Sequence, residues 1–330
     1  MLQDEILTLL RSGGGAYLSG EAMSRKLGVS RAAVWKAVDA LRREGYAISS
    51  GSNRGYRLES APDTLRAGEL SQALAGRLVG SNLACLETVD STNNEVKRRA
   101  LAGAADGLAV VAEQQTGGRG RRGRSFVSPA GQGLYLSVLL RPRCPLEEVS
   151  ALTAWTAVAV CNAVERVCGV RPGIKWPNDV ILDGRKLCGI LTELELEAET
   201  AALRHVVVGV GINLTQIAAD FGPEVAPVAV SLAQALGRAP RRAEMAAAVL
   251  VALDELYAAF PAERAAWLER YRADCLTLGR TVRLLRAGGE EEAFAEAVDD
   301  TFALVVRRAD GSREAVSSGE VSVRGLLGYV

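Results

Sequence analysis

The sequence predicts an α+β multidomain protein: a winged helix-turn-helix in front, a mixed α/β domain in the centre and a small SH3-like β-barrel at the back. Three observations carry that division. The first sixty residues alternate capped amphipathic helices with glycine stops. The middle alternates apolar strands with longer helices. The end, from "LGRTVRLL" through "GEVSVRGL", alternates apolar and polar residues in short strands separated by turns such as "ADGS". At 330 residues and 48% hydrophobic content the chain can bury several separate cores, and the boundaries expected are 1–62, 63–275 and 276–330.

In the front unit, "LQDEILTLL" gives an amphipathic first helix. Ser19 is placed to cap "GEAMSRKL", with Glu21 in the first turn and Gly28 closing the last. Ser30 caps "RAAVWKAVDALRREG", whose Val34, Val38 and Leu41 form one buried stripe that ends at Gly45. "YAISSGSNRGYRL" then reads as two short strands, the wing. Residues 1–60 hold nine basic and six acidic side chains, a balance of +3. On DNA, the second helix of the motif would enter the major groove with Ser30, Arg31, Trp35 and Lys36, while Arg54 and Arg57 on the wing would touch phosphate or the minor groove. A helical protein-interaction module fits the same pattern, and Trp35 fits a core aromatic as well as a groove contact. "ESAPDTLRAGEL" marks a linker at about 59–66.

From about 67 to 275 the expected elements include the strands "LAVVAEQQ", "GLYLSVLLR", "IKWPNDVIL", "RKLCGILTELEL" and "HVVVGVGIN", and a helix over 149–168. Asp183-Gly184 between apolar stretches signals a type I′ hairpin, pairing Asn178–Leu182 with Arg185–Glu193 and bringing Lys175 and Lys186 to neighbouring strands. The stretch "GGRGRRGRSF" (117–126) sets four arginines and four glycines in one loop without an acid. Its composition suits a nucleic-acid backbone, a nucleotide phosphate or a solvated basic tail. It joins two predicted strands, so it is tethered at both ends and can fold over a phosphate with backbone N–H groups and guanidinium forks. The Walker and Rossmann glycine patterns are absent.

Composition narrows the chemistry further. The 39 basic and 39 acidic residues cancel, so any nucleic-acid contact is local. The single histidine, His205, lies in an apolar strand, which excludes a Ser-His-Asp triad and an HExxH zinc site. Cysteines 85, 144, 161, 168, 188 and 275 have no ligand-like clustering and read as reduced thiols of a cytoplasmic protein. No signal peptide is recognisable, and Asn162, Glu165 and Arg166 interrupt the most apolar helix, which argues against a membrane partner. Only five basic residues are lysine, two of them Lys175 and Lys186, where a compact point charge replaces the arginine fork used elsewhere.

"DSTNNE" (90–95), "QTGGRGRRGR" (115–124), "KWPNDV" (175–180), "RKLCGIL" (185–191) and "GVGINL" (209–214), in that order, resemble the biotin protein ligases, and the front domain makes the chain similar to their bifunctional ligase/repressor branch. The resemblance covers nearly the whole chain. It implies a class II synthetase-like catalytic domain that joins biotin to ATP, with Mg²⁺, as biotinyl-5′-adenylate. The biotin then passes to a lysine of the biotin carboxyl carrier domain of a carboxylase. It also implies binding of operator DNA by a homodimer formed when the adenylate is bound.

By the same resemblance Ser91, Thr92, Asn93 and Gln115, with Gly118 and Arg119, would hold the biotin ring, and Gly189 would line its pocket. Arg121 would retain the adenylate and Lys186 would contact carboxyl and phosphate oxygens. Arg122 and Arg124 would add charge at the phosphates. Lys175, Asn178 and Asp179 would handle the ATP phosphates and the Mg²⁺ arriving with them, no fixed metal site being expected, and Asn213 would border adenine. "KWPND" also fits a strand ending in a Pro-Asn turn with Trp176 in the core. Phe126 stands where relatives often carry tryptophan, and 215–232 has no tryptophan to stack on adenine, leaving Phe221. A transcription factor with an inactive biotin-sensing back half, and a ligase whose front domain contacts only protein, are the competing functions.

Overall fold

Serine caps and glycine stops lay out the front of the chain in the order the sequence predicts. The structure is a computed structural model that describes residues 2–51, 54–286, 289–317 and, as backbone, 322–325. Helices α1 (Leu2–Ser12), α2 (Gly20–Leu27) and α3 (Arg31–Arg43) precede a hairpin of β1 (Ala47–Gly51) and β2 (Gly55–Ser60). Ser19 and Ser30 accept from the Ala22 and Ala33 amides, and Gly28 closes α2 at φ 65°, a left-handed conformation open to glycine. Ile6, Leu10, Met23, Val34, Val38 and Leu41 form a separate core for this unit.

The segment after β2 is pinned at several points. The Asp63 carboxylate accepts from the Arg242 amide at 2.7 Å and from its guanidinium, and the Leu65 amide donates to Glu113 at 2.8 Å. In α4 (Ala67–Leu70), the buried Glu69 side chain bridges Arg11 of α1 to Arg241. The linker is therefore a strap clamped between the front unit and the rest, because its polar residues find charged partners on both sides.

A seven-stranded mixed sheet runs in the order β3-β4-β5-β9-β8-β7-β6. Its strands are β3 (Leu83–Val89), β4 (Ala109–Gln115), β5 (Gly133–Leu140), β6 (Gly173–Lys175), β7 (Asp179–Leu182), β8 (Arg185–Leu196) and β9 (Leu203–Asn213). Only β3 and β4 are parallel, as their helical crossover α5 (Thr92–Leu101) requires. The turn between β7 and β8 has Asp183 at φ 53° and Gly184 at φ 70°, the two left-handed residues of a type I′ hairpin.

Alternate strand residues face opposite layers. Val110, Leu139 and Val207 pack with Val96 and Ala100 of α5. Val111, Val138, Val206 and Val208 face the larger core. That core contains α7 (Leu152–Cys168), α10 (Arg242–Ala259) and α11 (Arg264–Asp274), where Trp155 stacks on Trp267 with ring centroids 4.7 Å apart. The helix expected over 149–168 begins at Leu152, after the single turn α6 (Leu146–Val149). The Ser150 hydroxyl donates to the Glu147 carbonyl and competes with the backbone there. Helices α8 (Ala218–Phe221) and α9 (Leu232–Leu236) are short.

The chain ends in a five-stranded antiparallel sheet, β13-β12-β11-β10-β14. Its strands are β10 (Thr281–Arg286), β11 (Gly289–Val298), β12 (Leu304–Arg307), β13 (Arg313–Val316) and β14 (Ser322–Gly325). It joins the central core through Trp176, which is buried and donates its indole N–H to the Phe302 carbonyl at 3.0 Å.

Candidate active site

A cavity partly open to solvent lies on the α5 side of the sheet, where two glycines of β9 and one of β8 leave its floor bare. Gly189 pairs with Gly211, and Leu191 with Gly209. A Cβ on Gly209 would stand 2.1 Å from Asn93 Oδ1, and one on Gly211 would stand 2.6 Å from the Phe126 ring. The glycines thus make a bare floor on which an asparagine amide and a phenyl ring rest.

One end of the cavity is neutral and tightly bonded. Thr92, at the start of α5, donates both its amide and its hydroxyl to Gln115 Oε1, at 2.8 and 3.1 Å, and Gln115 Nε2 donates to Ser128 Oγ at 2.8 Å. Ser137 in β5 donates to Thr92 Oγ1 and Asn93 Oδ1 at 2.7 and 2.6 Å, alternatives for its one proton. Asn93 Nδ2 donates to Glu193 at 2.7 Å, and Lys97 Nζ meets the other oxygen of that carboxylate at 2.7 Å. Burial pushes Glu193 up, but the hydrogen bonds from Lys97 and Asn93 and the nearby Arg119 charge outweigh it and hold the carboxyl below its ordinary value.

The other end is cationic. The Thr116 and Gly117 amides tie the start of the arginine-glycine loop to Val89 and Asp90, and the Phe126 amide returns to the Gly118 carbonyl. Between them Arg121–Gly123 forms a 3₁₀ turn with Arg122 at φ 56°. Arg121 folds inward, its Nη1 donating to Asn178 Oδ1 at 2.9 Å, and Asn178 Nδ2 donates to the Ile190 carbonyl at 2.9 Å. Burial lowers the Arg121 pKa, and the neighbouring Arg122 and Arg124 charges add to the effect against the pull of Asp179. Lys186 Nζ meets Asp179 Oδ1 at 2.7 Å. The arrangement offers hydrogen bonds to a neutral polar ring at one end and fixed positive charge to an anion at the other.

The cavity wall brings together Ser91, Thr92, Asn93, Gln115, Arg119, Arg121, Asn178, Lys186 and Gly189. The other residues singled out in the sequence stand behind or beside it. Gly118 packs against the Phe126 carbonyl, with no room for a Cβ. Arg122 and Arg124 are exposed on the loop. Asp179 of β7 pairs with Lys186 of β8 and lies opposite the buried Lys175 of β6. Strand β7 therefore separates the two lysine-bearing strands that the sequence placed side by side, because "KWPNDV" turns back at Pro177-Asn178 and makes a strand of its own. Asn213 is buried and donates to the Val230 carbonyl at 3.1 Å. Phe221 is buried, away from the cavity wall. Sequence reasoning missed Gly209, Gly211, Ile190 and Leu191 on the wall and Ser137 beneath it. The glycine pair stood in "GVGINL", but only strand register shows which face it bares.

In the front unit, α3 exposes Arg31, Trp35 and Lys36, with Trp35 54% accessible, so this tryptophan is not core. Arg54 and Arg57 lie over the Tyr17 ring, 4.6 and 4.8 Å from its centroid, and Arg57 also pairs with Glu59. Ser30 spends its hydroxyl on the helix cap.

Known proteins match all three parts. The Biotin/lipoate A/B protein ligase family matches residues 85–213, an HTH domain matches 3–57, and the Biotin protein ligase C terminal domain matches 277–324. The chain is 34% identical over 322 residues to the bifunctional ligase/repressor BirA of Bacillus subtilis, covering 96% of this chain and 97% of that one. The chain belongs to the biotin protein ligase family. As a biotin protein ligase it is also 30% identical over 311 residues to the bifunctional ligase/repressor BirA of Escherichia coli, with 94% of each chain covered. The structure of the biotin protein ligase from Aquifex aeolicus in complex with biotin and ATP superposes with a TM-score of 0.64 at 30% identity, covering 74% of this chain and 99% of that one. No helix among the described residues is long and apolar enough to cross a membrane.

Proposed function

We propose that this chain is an ATP-dependent biotin protein ligase that also represses transcription. The observation that carries the reading is one cavity with a bare glycine floor, a neutral hydrogen-bonding end at Thr92 and Gln115, and a cationic end at Arg121 and Lys186. Biotin is a neutral bicyclic urea on an apolar chain that ends in a carboxylate, and its outline follows that polarity.

The biotin carboxylate attacks the α-phosphorus of ATP, forming a C–O–P anhydride as the bond to pyrophosphate breaks. Both reactants are anions, so fixed cations must neutralise them where water is excluded. Lys186 bridges the carboxylate and the α-phosphate. Arg121 holds the adenylate, with Arg119, Arg122 and Arg124 adding charge as the loop closes. Lys175, Asn178 and Asp179 serve the ATP phosphates, and Asn213 supports the adenine side. Ser91, Thr92, Asn93, Gln115, Gly118 and Gly189 shape the biotin end. Asp179 would hold the Mg²⁺ that arrives with ATP. Bound there, Mg²⁺ would screen the phosphates. In the second step an uncharged lysine amine of a biotin carboxyl carrier domain attacks the carbonyl, forms the amide and releases AMP.

The domains are taken as 1–62, 63–275 and 276–330, and the five-stranded end as an SH3-like barrel. Six free cysteines support a cytoplasmic setting. Binding of biotinyl-adenylate favours a homodimer that presents two winged units to operator DNA through Arg31, Trp35, Lys36, Arg54 and Arg57, with Ser30 holding the helix start. Transfer of labelled biotin, but not lipoate, to a carrier lysine in the presence of ATP tests the ligase. Operator affinity that rises with biotin and ATP, and falls about five- to thirtyfold in Trp35→Ala, tests the repressor. DNA binding indifferent to either change overturns that half.

A further inference from the structure

Two segments frame the cationic end of the cavity. One is the return limb of the arginine-glycine loop, through Phe126 to Pro129. The other is the crossing 214–231, whose Val228 carbonyl accepts from the Lys186 amide and whose Val230 amide donates to the Lys186 carbonyl. Both bond to one buried hydroxyl. Tyr135 in β5 is 0% exposed, and its Oη donates to the Pro129 carbonyl at 3.0 Å while accepting from Gln216 Nε2 at 3.3 Å.

Gln216 is also 0% exposed and gathers the two ends of the crossing. Its Oε1 accepts from the Leu214 amide at 2.8 Å, and its carbonyl accepts the Ser231 hydroxyl at 2.7 Å. The tyrosine ring stands edge-on to Phe126, with centroids 6.4 Å apart, and Tyr135 pairs across the sheet with Gly211, the glycine whose missing Cβ makes room for Phe126. Gly133 must stay bare as well, because a Cβ there would stand 2.5 Å from Tyr135 Oη. Packing alone would be served by phenylalanine. A buried hydroxyl costs solvation that only bonds in both directions repay, and this one has both.

We propose that Tyr135 and Gln216 are positioning residues that tie Phe126 on the biotin side to the crossing over Lys186 on the nucleotide side. The assignment of the two sides rests on the ligase reading; the anchoring of the two segments does not. Neither side chain touches the reacting atoms. Burial raises the phenol pKa far above its ordinary value, so the proton stays on Oη and the donor and acceptor directions are fixed.

The test compares Tyr135→Phe, which keeps the ring, with Gln216→Leu and the double variant. Amide hydrogen exchange of the ligand-free proteins is read at Leu214, Lys186 and Val230, and biotin-dependent pyrophosphate exchange is titrated with biotin and with ATP. Both single variants should exchange these amides about tenfold faster and raise the KM for ATP about tenfold, with a smaller change in the KM for biotin. The double variant should lose less than the sum of the two single effects, because the two residues share one bond while Tyr135 alone holds Pro129 and Gln216 alone holds Leu214. A lower melting temperature with unchanged amide protection and unchanged KM values would reduce the pair to packing and overturn the proposal. So would effects that simply add. Failure of the ligase reading looks different: the unaltered protein would show no biotin-dependent exchange of pyrophosphate, while the amide measurement would still decide the anchor.

Discussion

The two ends of the cavity solve opposite problems. At the neutral end three amide or hydroxyl groups are bonded to one another or to a carboxylate before a ligand arrives: Thr92 to Gln115, Gln115 to Ser128, Asn93 to Glu193. Neutral polar groups can be buried and preorganised together, because each supplies another's missing bond. At the cationic end Arg121 is folded inward, while Arg122 and Arg124 are exposed and the half-exposed Arg119 donates to Asn94 Oδ1 at 3.0 Å. Four guanidinium groups cannot be buried together without an anion, since desolvation and mutual repulsion would both oppose it. On the proposed reading, the fold alone builds the ring-recognising end, whereas the phosphate end would be completed by its ligand.

Removing the charge at the reacting end should have the largest effect. Lys186→Met should lower the rate of adenylation by about 10²- to 10³-fold while raising the dissociation constant for biotin by only about tenfold, the loss of its carboxylate contact. An equal loss in both would merge the two ends into one. Gly209→Val should do the reverse. Its side chain would displace Asn93 from Oδ1 contact, and calorimetry should show biotin affinity reduced about 10²-fold with ATP-side binding retained. Arg121→Gly should speed escape of biotinyl-adenylate about tenfold and label bystander lysines, which mass spectrometry of a mixed-protein reaction would register. Normal retention in that variant would move the closing role to another arginine.

The smallest effect concerns Glu193. Its carboxyl is held below the ordinary value of 4.5, so its share of stability is complete above that pH and fades as pH falls through the depressed value. Glu193→Gln should therefore melt lower at pH 7 by about 1 kcal/mol and lose less than the parent on going to pH 3. A variant whose melting curve keeps the parent's acid limb would remove Glu193 from the support of the neutral end.

The cationic end was the easier to read from sequence, since four arginines among glycines stand out in any context. The Asp183-Gly184 hairpin and the Ser30 cap were also legible, because each is a local rule with a local readout. The neutral end was legible only in part. Thr92 and Gln115 come from separate motifs, but Ser137 is one serine in an apolar strand, and its role appears only when β5 lies under α5. The glycine floor needs the register of β8 against β9, a long-range pairing that no local pattern sets. The linker expected at 59–66 overlaps the end of β2 through Ser60, and its remainder is a strap that read as a linker because its partners, Glu113, Arg241 and Arg242, lie far along the chain.

Exchange of labelled pyrophosphate into ATP tests the central claim most directly, with biotin, lipoate and octanoate supplied in turn. Exchange with biotin alone is the predicted result, since it requires the neutral end to choose the ring and the cationic end to drive the anhydride. Exchange with none of the three would contradict the account and leave the chain a biotin sensor without chemistry.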